Sequence, residues 1–226
     1  MKFIAVIPQG FEEESGNELQ ELGAEKLSVK HRSVFFEADW SSISRIHLYA
    51  RLPFRFLRQI ALFPCTSPKS LYQQVQKSID WDLWLPPSKT FRVDTSGTSS
   101  GLRHSYFSAL QVKNAIVDSQ LDNWGKRSNI NLDAPDISLH LHLSNGIAVL
   151  SLATTSKSLH RRGYRPAVGL APIKENLASG LILKTHWDGK VPLVDPLCGS
   201  GTFLIEAVSR QIGTPPGLNQ LFLFKN

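Results

Sequence analysis

The sequence predicts an α/β protein whose N-terminal half is α+β, and three observations carry that prediction. Over the first 63 residues, short β-branched and aromatic runs alternate with stretches of helical period in the order strand, helix, strand, strand, helix, strand. Residues 137–152 hold two apolar runs on either side of Asn145-Gly146, a pair that favours a tight hairpin. Further on, the aliphatic run Val191 to Val194 stops at Asp195-Pro196, passes two glycines, and resumes from Phe203 at helical spacing.

Each element has its own reason. Lys2 to Ile7 reads as a strand, and Phe11 to Leu22 as an amphipathic helix with Phe11, Leu19 and Leu22 inward, ended by Gly23. Ala24 to Lys30 and Ser33 to Ala38 read as paired strands, Trp40 to Ala50 as a helix with Ser41 or Ser42 near its start, and Phe54 to Phe63 as a closing strand. That order is a split α/β unit of ferredoxin-like type. Beyond the break at Pro64 to Pro68, Leu71, Val75 and Ile79 recur every four residues in a helix from Ser70 to Ile79. Trp81, Trp84 and Leu85 plug a core, and Thr90 to Thr95 is a strand. Ser96 to Gly101 reads as a flexible loop before a long helix from Arg103 to Trp124. Ile137 to Leu143 is a half-buried strand with Ser138, His140 and His142 on its polar side, a solvated edge rather than a metal pair, and Ile147 to Leu152 is its hairpin partner.

Composition narrows the function classes. With 226 residues, 42% hydrophobic and 19% charged, the chain can bury one large core or two modest ones. No apolar run approaches the length of a membrane span and no signal peptide is evident, so a cytoplasmic protein with no membrane partner is expected. Cys65 and Cys198 stand far apart without metal-ligand neighbours, which supports neither a disulfide framework nor a metal site. Charge is uneven: residues 1–40 hold eight acids against four bases, residues 41–226 hold 21 bases against 11 acids. That positive excess suits a polyanionic partner such as RNA, although composition alone fits a soluble basic surface as well.

The turn Cys198-Gly199-Ser200-Gly201-Thr202 joins an expected strand to an expected helix. Two glycines there let the backbone reverse while staying bare enough for a ligand, and the helix start offers unpaired N–H groups to an anion. A phosphate-cradling loop would need a lysine, and none lies between Val191 and Val208; the dinucleotide fingerprint would need a third glycine where Leu204 stands. The segment Asp195-Pro196-Leu197-Cys198-Gly199-Ser200-Gly201-Thr202 instead resembles the first motif of the Rossmann-like S-adenosylmethionine methyltransferases, in the form found in RNA guanine-N2 methyltransferases. The resemblance implies S-adenosylmethionine as cofactor, with the glycine turn against its methionine and ribose part and Asp195 near its amino group. A strand-turn-helix without a ligand is the alternative for the residues alone.

Two further stretches resemble the same group. The order of elements from about Ser44 to Ala153, ahead of that motif, looks like a THUMP domain, an RNA-binding module. Ser158-Leu159-His160-Arg161-Arg162-Gly163-Tyr164-Arg165-Pro166 carries three arginines and a ring that can contact phosphates and stack on a base, and an interdomain linker fits these residues equally. Continued through Ala171-Pro172-Ile173-Lys174-Glu175-Asn176, it looks like the junction ahead of the cofactor motif in ribosomal guanine-N2 methyltransferases, which implies Glu175 and Asn176 near the methyl donor.

The expected layout is therefore a ferredoxin-like unit over 1–43, a THUMP domain over 44–155, and a linker with the first strand-turn-helix of an incomplete Rossmann-like methyltransferase domain over 156–226. The candidate RNA contacts are Arg161, Arg162, Tyr164 and Arg165. The candidate cofactor residues are Asp195, Pro196, Cys198, Gly199, Ser200, Gly201 and Thr202, with Glu175 and Asn176. The Asn or Asp, Pro, Pro, aromatic motif that activates the amine in related enzymes is missing: Leu85-Pro86-Pro87-Ser88 and Thr214-Pro215-Pro216-Gly217 have the prolines without the acceptor or the ring. No catalytic residue is assigned, and Leu221 to Phe224 reads as an apolar strand with nothing left to pair it. The chain is expected to be a truncated member that binds RNA, catalytically incomplete, with room for a companion chain to complete the domain. The alternative is a non-catalytic RNA-binding protein with a vestigial glycine turn.

Overall fold

The computed structural model describes residues 1–164 and 173–223. These form two compact units, one of residues 1–57 with 154–226 and the other of residues 58–153. In the first unit, β1 (Lys2–Val6), α1 (Glu12–Glu21), β2 (Glu25–Lys30), β3 (Ser33–Glu37), α2 (Trp40–Tyr49) and the opening of β4 (Arg55–Pro64) follow one another as the periodicity predicts. Their strand order is β2-β3-β1-β4, and β3 pairs antiparallel with both β1 and β2. Phe3, Ile7, Leu19, Val34, Ile43, Ile46 and Phe56 make the core between sheet and helices. The cap of α2 is Asp39, whose carboxylate accepts the Ser42 N–H at 2.7 Å, and Ser41 and Ser42 lie in its first turn, near its start as expected. A boundary at residue 43 would cut α2 in two; the helix packs whole with the ferredoxin-like elements because Ile43 and Ile46 are part of their core.

The second unit starts within β4 and continues with α3 (Pro68–Lys77), α4 (Trp81–Trp84), β5 (Phe91–Gly97), α5 (Ser105–Trp124), β6 (Ile137–Ser144) and β7 (Ile147–Ala153). Its strand order is β4-β7-β6-β5, with β6 antiparallel to β7 and parallel to β5. Ser67 caps α3 through the Ser70 N–H, with Pro68 in the first turn where its missing donor costs nothing. Trp81 and Leu85 are buried with Phe91, Leu71, Val75 and Ile116, as the apolar spacing requires. The solvated-edge reading of the β6 histidines is corrected by the pairing. β6 is an inner strand, and the His142 ring is partly buried with its Nδ1 2.9 Å from Ser96 Oγ.

After β7 the chain returns to the first unit with α6 (Glu175–Lys184) and α7 (Thr202–Gln211). Residues 191–194 are not a strand: Val191 and Val194 are exposed, Trp187 Nε1 donates to Val191 O at 2.8 Å, and among the described residues no strand pairs with them. A run of this composition is stable as a strand only between neighbours that cover both faces. The apolar stretch near residue 222 departs from expectation in the opposite sense. Phe222 bridges to Thr155, the Leu223 N–H donates to Thr154 O at 2.8 Å, and Gly217 N–H donates to Leu48 O at 2.9 Å, so this stretch is held against α2 and the chain after β7.

Candidate cofactor and RNA sites

The glycine turn is built as its residues dictate. Gly199 and Gly201 both take left-handed backbone angles, with φ of 51° and 70°, which a side chain would disfavour. The Gly201 N–H donates to Cys198 O at 2.7 Å, closing the turn, and α7 then starts from Gly201 without a side-chain cap. Ser200 Oγ and Thr202 Oγ1 lie 3.1 Å apart inside the bend. A Cβ on Gly199 would meet nothing nearer than 4.0 Å, so the space beside the bend is open.

Asp195 is the informative group. One carboxylate oxygen accepts the Leu197 N–H at 3.1 Å, while the other, Oδ2, is shielded from solvent and has no hydrogen-bond partner. Such an oxygen lacks a donor, and an ammonium or hydroxyl of a ligand would satisfy it. The bend, the bare helix start and this orphaned acceptor fit the amino-acid end of S-adenosylmethionine. Pro196 and Cys198 are exposed, and Leu197 is 92% exposed.

The other two cofactor candidates lie at the start of α6, where Asn176 Oδ1, like Asp195 Oδ2, is shielded from solvent without a hydrogen-bond partner. Asn176 is fully buried and its Nδ2 donates to Leu52 O at 2.9 Å, seating α6 against the ferredoxin-like elements; Glu175, at the start of α6, is buried too. On the same side Gly180 of α6 sits so close to the Phe11 ring that a Cβ would come within 2.6 Å of it.

Of the RNA candidates, Arg161 is exposed and Tyr164 half-buried, and Arg165 lies outside the described residues. Arg162 points inward and is corrected on that ground. Its Nη1 donates to Leu159 O at 2.7 Å, its Nη2 donates to Arg51 O, and its Nε faces the equally buried Glu206 of α7 at 3.7 Å. Glu206 also accepts the Tyr164 hydroxyl at 3.1 Å, and Arg51 donates to Ser209 O and Thr214 O. Glu18 of α1 accepts the N–H groups of Arg51 and Leu52 at 2.9 and 3.2 Å. Sequence reasoning missed this cluster because its members are spread from residue 18 to residue 214.

A second region also escaped the sequence reading. In the second unit a polar cavity of about 590 Å³ is lined by Thr98, Ser99, Ser100, Arg103, Asn145 and Gly146. Among the described residues, no group of histidine, cysteine and acidic side chains is placed to hold a metal, and no helix is long and apolar enough to cross a membrane.

Fold and site together define a class: a THUMP-bearing chain that runs into a methyltransferase domain. Its domains match three families in order, the RlmL ferredoxin-like domain over residues 2–57, the THUMP domain over 65–153, and the RMKL-like methyltransferase domain over 162–225. The chain thus carries a THUMP domain between an RlmL-like ferredoxin-like domain and an RMKL-like methyltransferase domain. It is 44% identical over 215 residues to a Synechocystis sp. protein provisionally named an RNA methyltransferase, covering 95% of this chain and 56% of that one. It is 38% identical over 219 residues to the ribosomal RNA large subunit methyltransferase K/L of Vibrio campbellii, covering 97% of this chain and 31% of the other. The chain thus spans about half the length of the first relative and about a third of the second. Among solved structures, SMU.472, described as a methyltransferase complexed with SAH, is 31% identical with a TM-score of 0.85, covering 99% of this chain and 59% of that one. A Listeria monocytogenes protein, described by prediction as an N6-adenine-specific DNA methylase, is 30% identical with a TM-score of 0.86, covering 98% and 58%.

Proposed function

We propose that this chain is the RNA-binding part and the opening of the catalytic domain of an S-adenosylmethionine-dependent RNA methyltransferase of the cytoplasm, directed at the exocyclic amine of a guanine in large-subunit ribosomal RNA. The observation that carries the cofactor is the orphaned Asp195 Oδ2 beside the open bend at Gly199 and Gly201. The ribosomal substrate is supported by the name of the Vibrio relative and by the THUMP match. When bound, the sulfonium donor supplies a methyl carbon that an exocyclic amine displaces from sulfur, the amine giving up a proton.

This chain's own residues would do the holding. Asp195 Oδ2 would accept from the donor's amino group, the Gly199 to Gly201 backbone would leave room for its methionine and ribose part, and the uncapped start of α7 would favour its carboxylate. Nothing in the 226 residues matches the Asn or Asp, Pro, Pro, aromatic motif that activates the amine, so these residues alone bind and do not transfer. The test is a radiolabelled methyl-transfer assay on deproteinised ribosomal RNA, with adenine-containing DNA as a parallel substrate, accompanied by calorimetry with S-adenosylmethionine. Expected are no incorporation into either nucleic acid and cofactor binding that weakens in Asp195→Ala. Turnover by the isolated chain overturns the assignment of binding without transfer, and labelling of adenine in DNA overturns the RNA substrate.

A further inference from the structure

The polar cavity in the second unit is a preformed feature rather than a gap in a loose loop. Gly97, at the end of β5, has a φ of 72° and lies where a Cβ would fall 2.1 Å from Leu143 O; at Gly101 a Cβ would fall 2.4 Å from Thr66 O. Only glycine permits both approaches. Between them, Ser99 and Leu102 exchange backbone hydrogen bonds, and the Leu102 side chain is buried in the core. The Ser99 hydroxyl donates to Cys65 O, and the Cys65 N–H donates to Gly146 O at 2.6 Å, which ties the hairpin turn to the loop. With Leu102 inward, the chain turns Arg103 and His104 outward, and Thr95 Oγ1 holds Ser105 O at 3.0 Å where α5 begins.

The lining is chemically one-sided. Its side chains are three hydroxyls, one amide and one guanidinium, and no carboxylate is among them. In the first turn of α5, directly after Arg103 and His104, Tyr106 is 82% exposed and Phe107 43%. Large rings are usually covered, and two of them stand exposed beside an exposed arginine and an exposed histidine at a helix start. Cation, ring and hydroxyls together are the groups that hold unpaired nucleotides: guanidinium on phosphate, ring on base, hydroxyls and amide on ribose and base edges. A duplex would offer its bases only in grooves, where an exposed tyrosine has no face to stack on.

We propose that Arg103, Tyr106 and Phe107, with the cavity walls at Thr98, Ser100 and Asn145, form a docking site for an unpaired stretch of RNA. It rests on the RNA-binding reading above and deepens it, placing single-strand recognition in the second unit and away from Arg161. The ligand lies with a phosphate at Arg103 and a base on Tyr106.

The test is fluorescence anisotropy with a labelled single-stranded RNA of about 12 nucleotides, within the usual site size, and with the same strand annealed to its complement. All three positions are exposed, so the Tyr106→Ala, Tyr106→Phe, Arg103→Ala and Arg161→Ala chains retain the fold, checked by circular dichroism. Expected for Tyr106→Ala is a loss of about tenfold on the single strand, as for one lost stacking contact, with duplex binding unchanged and Tyr106→Phe close to the unaltered chain. Arg103→Ala should weaken the single strand and lower the slope of log affinity against log salt by about 0.7. Single-strand binding by Tyr106→Ala equal to that of the unaltered chain overturns the proposal, as does an equal loss on strand and duplex. If Arg161→Ala then weakens binding, RNA recognition survives at another surface; if the unaltered chain binds neither probe, the RNA reading falls with it.

Discussion

At the scale of single residues, the two arginines at 161 and 162 are neighbours with opposite fates. Arg162 is enclosed with Glu206, their side chains only 4% and 2% exposed, and the 3.7 Å between them is too long for a hydrogen bond. The arginine is held by carbonyls as much as by charge, and removing it would take the nearest guanidinium from the buried Glu206 carboxyl, to which the Tyr164 hydroxyl also donates. Arg162→Ala is therefore expected to cost about 3–5 kcal/mol of unfolding free energy in urea titration, the loss seen when one member of a buried pair is deleted. Arg161→Ala, on the surface, should stay within about 0.5 kcal/mol of the unaltered chain. His47 offers a second residue-level prediction. Its Nδ1 donates to Ile43 O at 2.8 Å and its Nε2 lies 2.7 Å from Thr154 Oγ1, an arrangement that suits the neutral ring. Burial lowers its pKa from 6.5 to about 4. The unfolded chain then takes up a proton that the folded chain refuses, so this contribution to stability is whole above pH 6.5 and is lost as pH falls toward 4. The expected loss is about 3 kcal/mol across that window, read from unfolding free energies at each pH, and an NMR titration should show the His47 ring neutral down to about pH 4.

At the scale of elements, the sequence reading succeeded where periodicity and capping act locally and failed where an element needs a partner. The helix at 40–49 and the hairpin at Asn145-Gly146 were legible because their apolar spacing and turn residues are local. Val191 to Val194 has the composition of a strand yet forms none, since pairing is a property of two segments and composition describes one. The stretch ending at Leu223 shows the converse: its composition names no partner, but Thr154 and Thr155, some 70 residues earlier, supply its backbone partners. Orientation was equally hidden at Arg162, where a run of basic residues gives no sign of which one turns inward. Hydrogen exchange tests the element-level account directly. The amides of Val191, Leu193 and Val194 should exchange close to the rate of an unstructured peptide, while those of Phe3 to Ala5 in β1 are protected by the core strands around them. Slow exchange at 191–194 would mean that the run has found a partner strand in solution.

At the scale of the whole molecule, what links composition to function is the distribution of charge. Residues 41–226 carry 21 bases against 11 acids, but burial decides which of them a polyanion can reach. Arg51 and Arg162 are enclosed and bound to carbonyls, and Lys89 and Lys190 are engaged with Asp136 and Asp188, whereas Arg103 and Arg161 lie at the surface. A contact surface of a few such cations makes a quantitative prediction, because each phosphate neutralised releases part of a bound counterion. Log affinity for single-stranded RNA should fall linearly with log salt, with a slope of about −0.7 for every phosphate held. Arg103→Ala should reduce that slope by one such step, whereas Arg161→Ala, away from the proposed single-strand site, and Arg162→Ala, measured where the chain remains folded, should leave it unchanged. Anisotropy titrations at a series of potassium chloride concentrations read all three. A flat salt dependence in the unaltered chain would show that its basic excess is a soluble surface, and a slope reduced by Arg162→Ala would show that the buried cluster opens to meet the RNA.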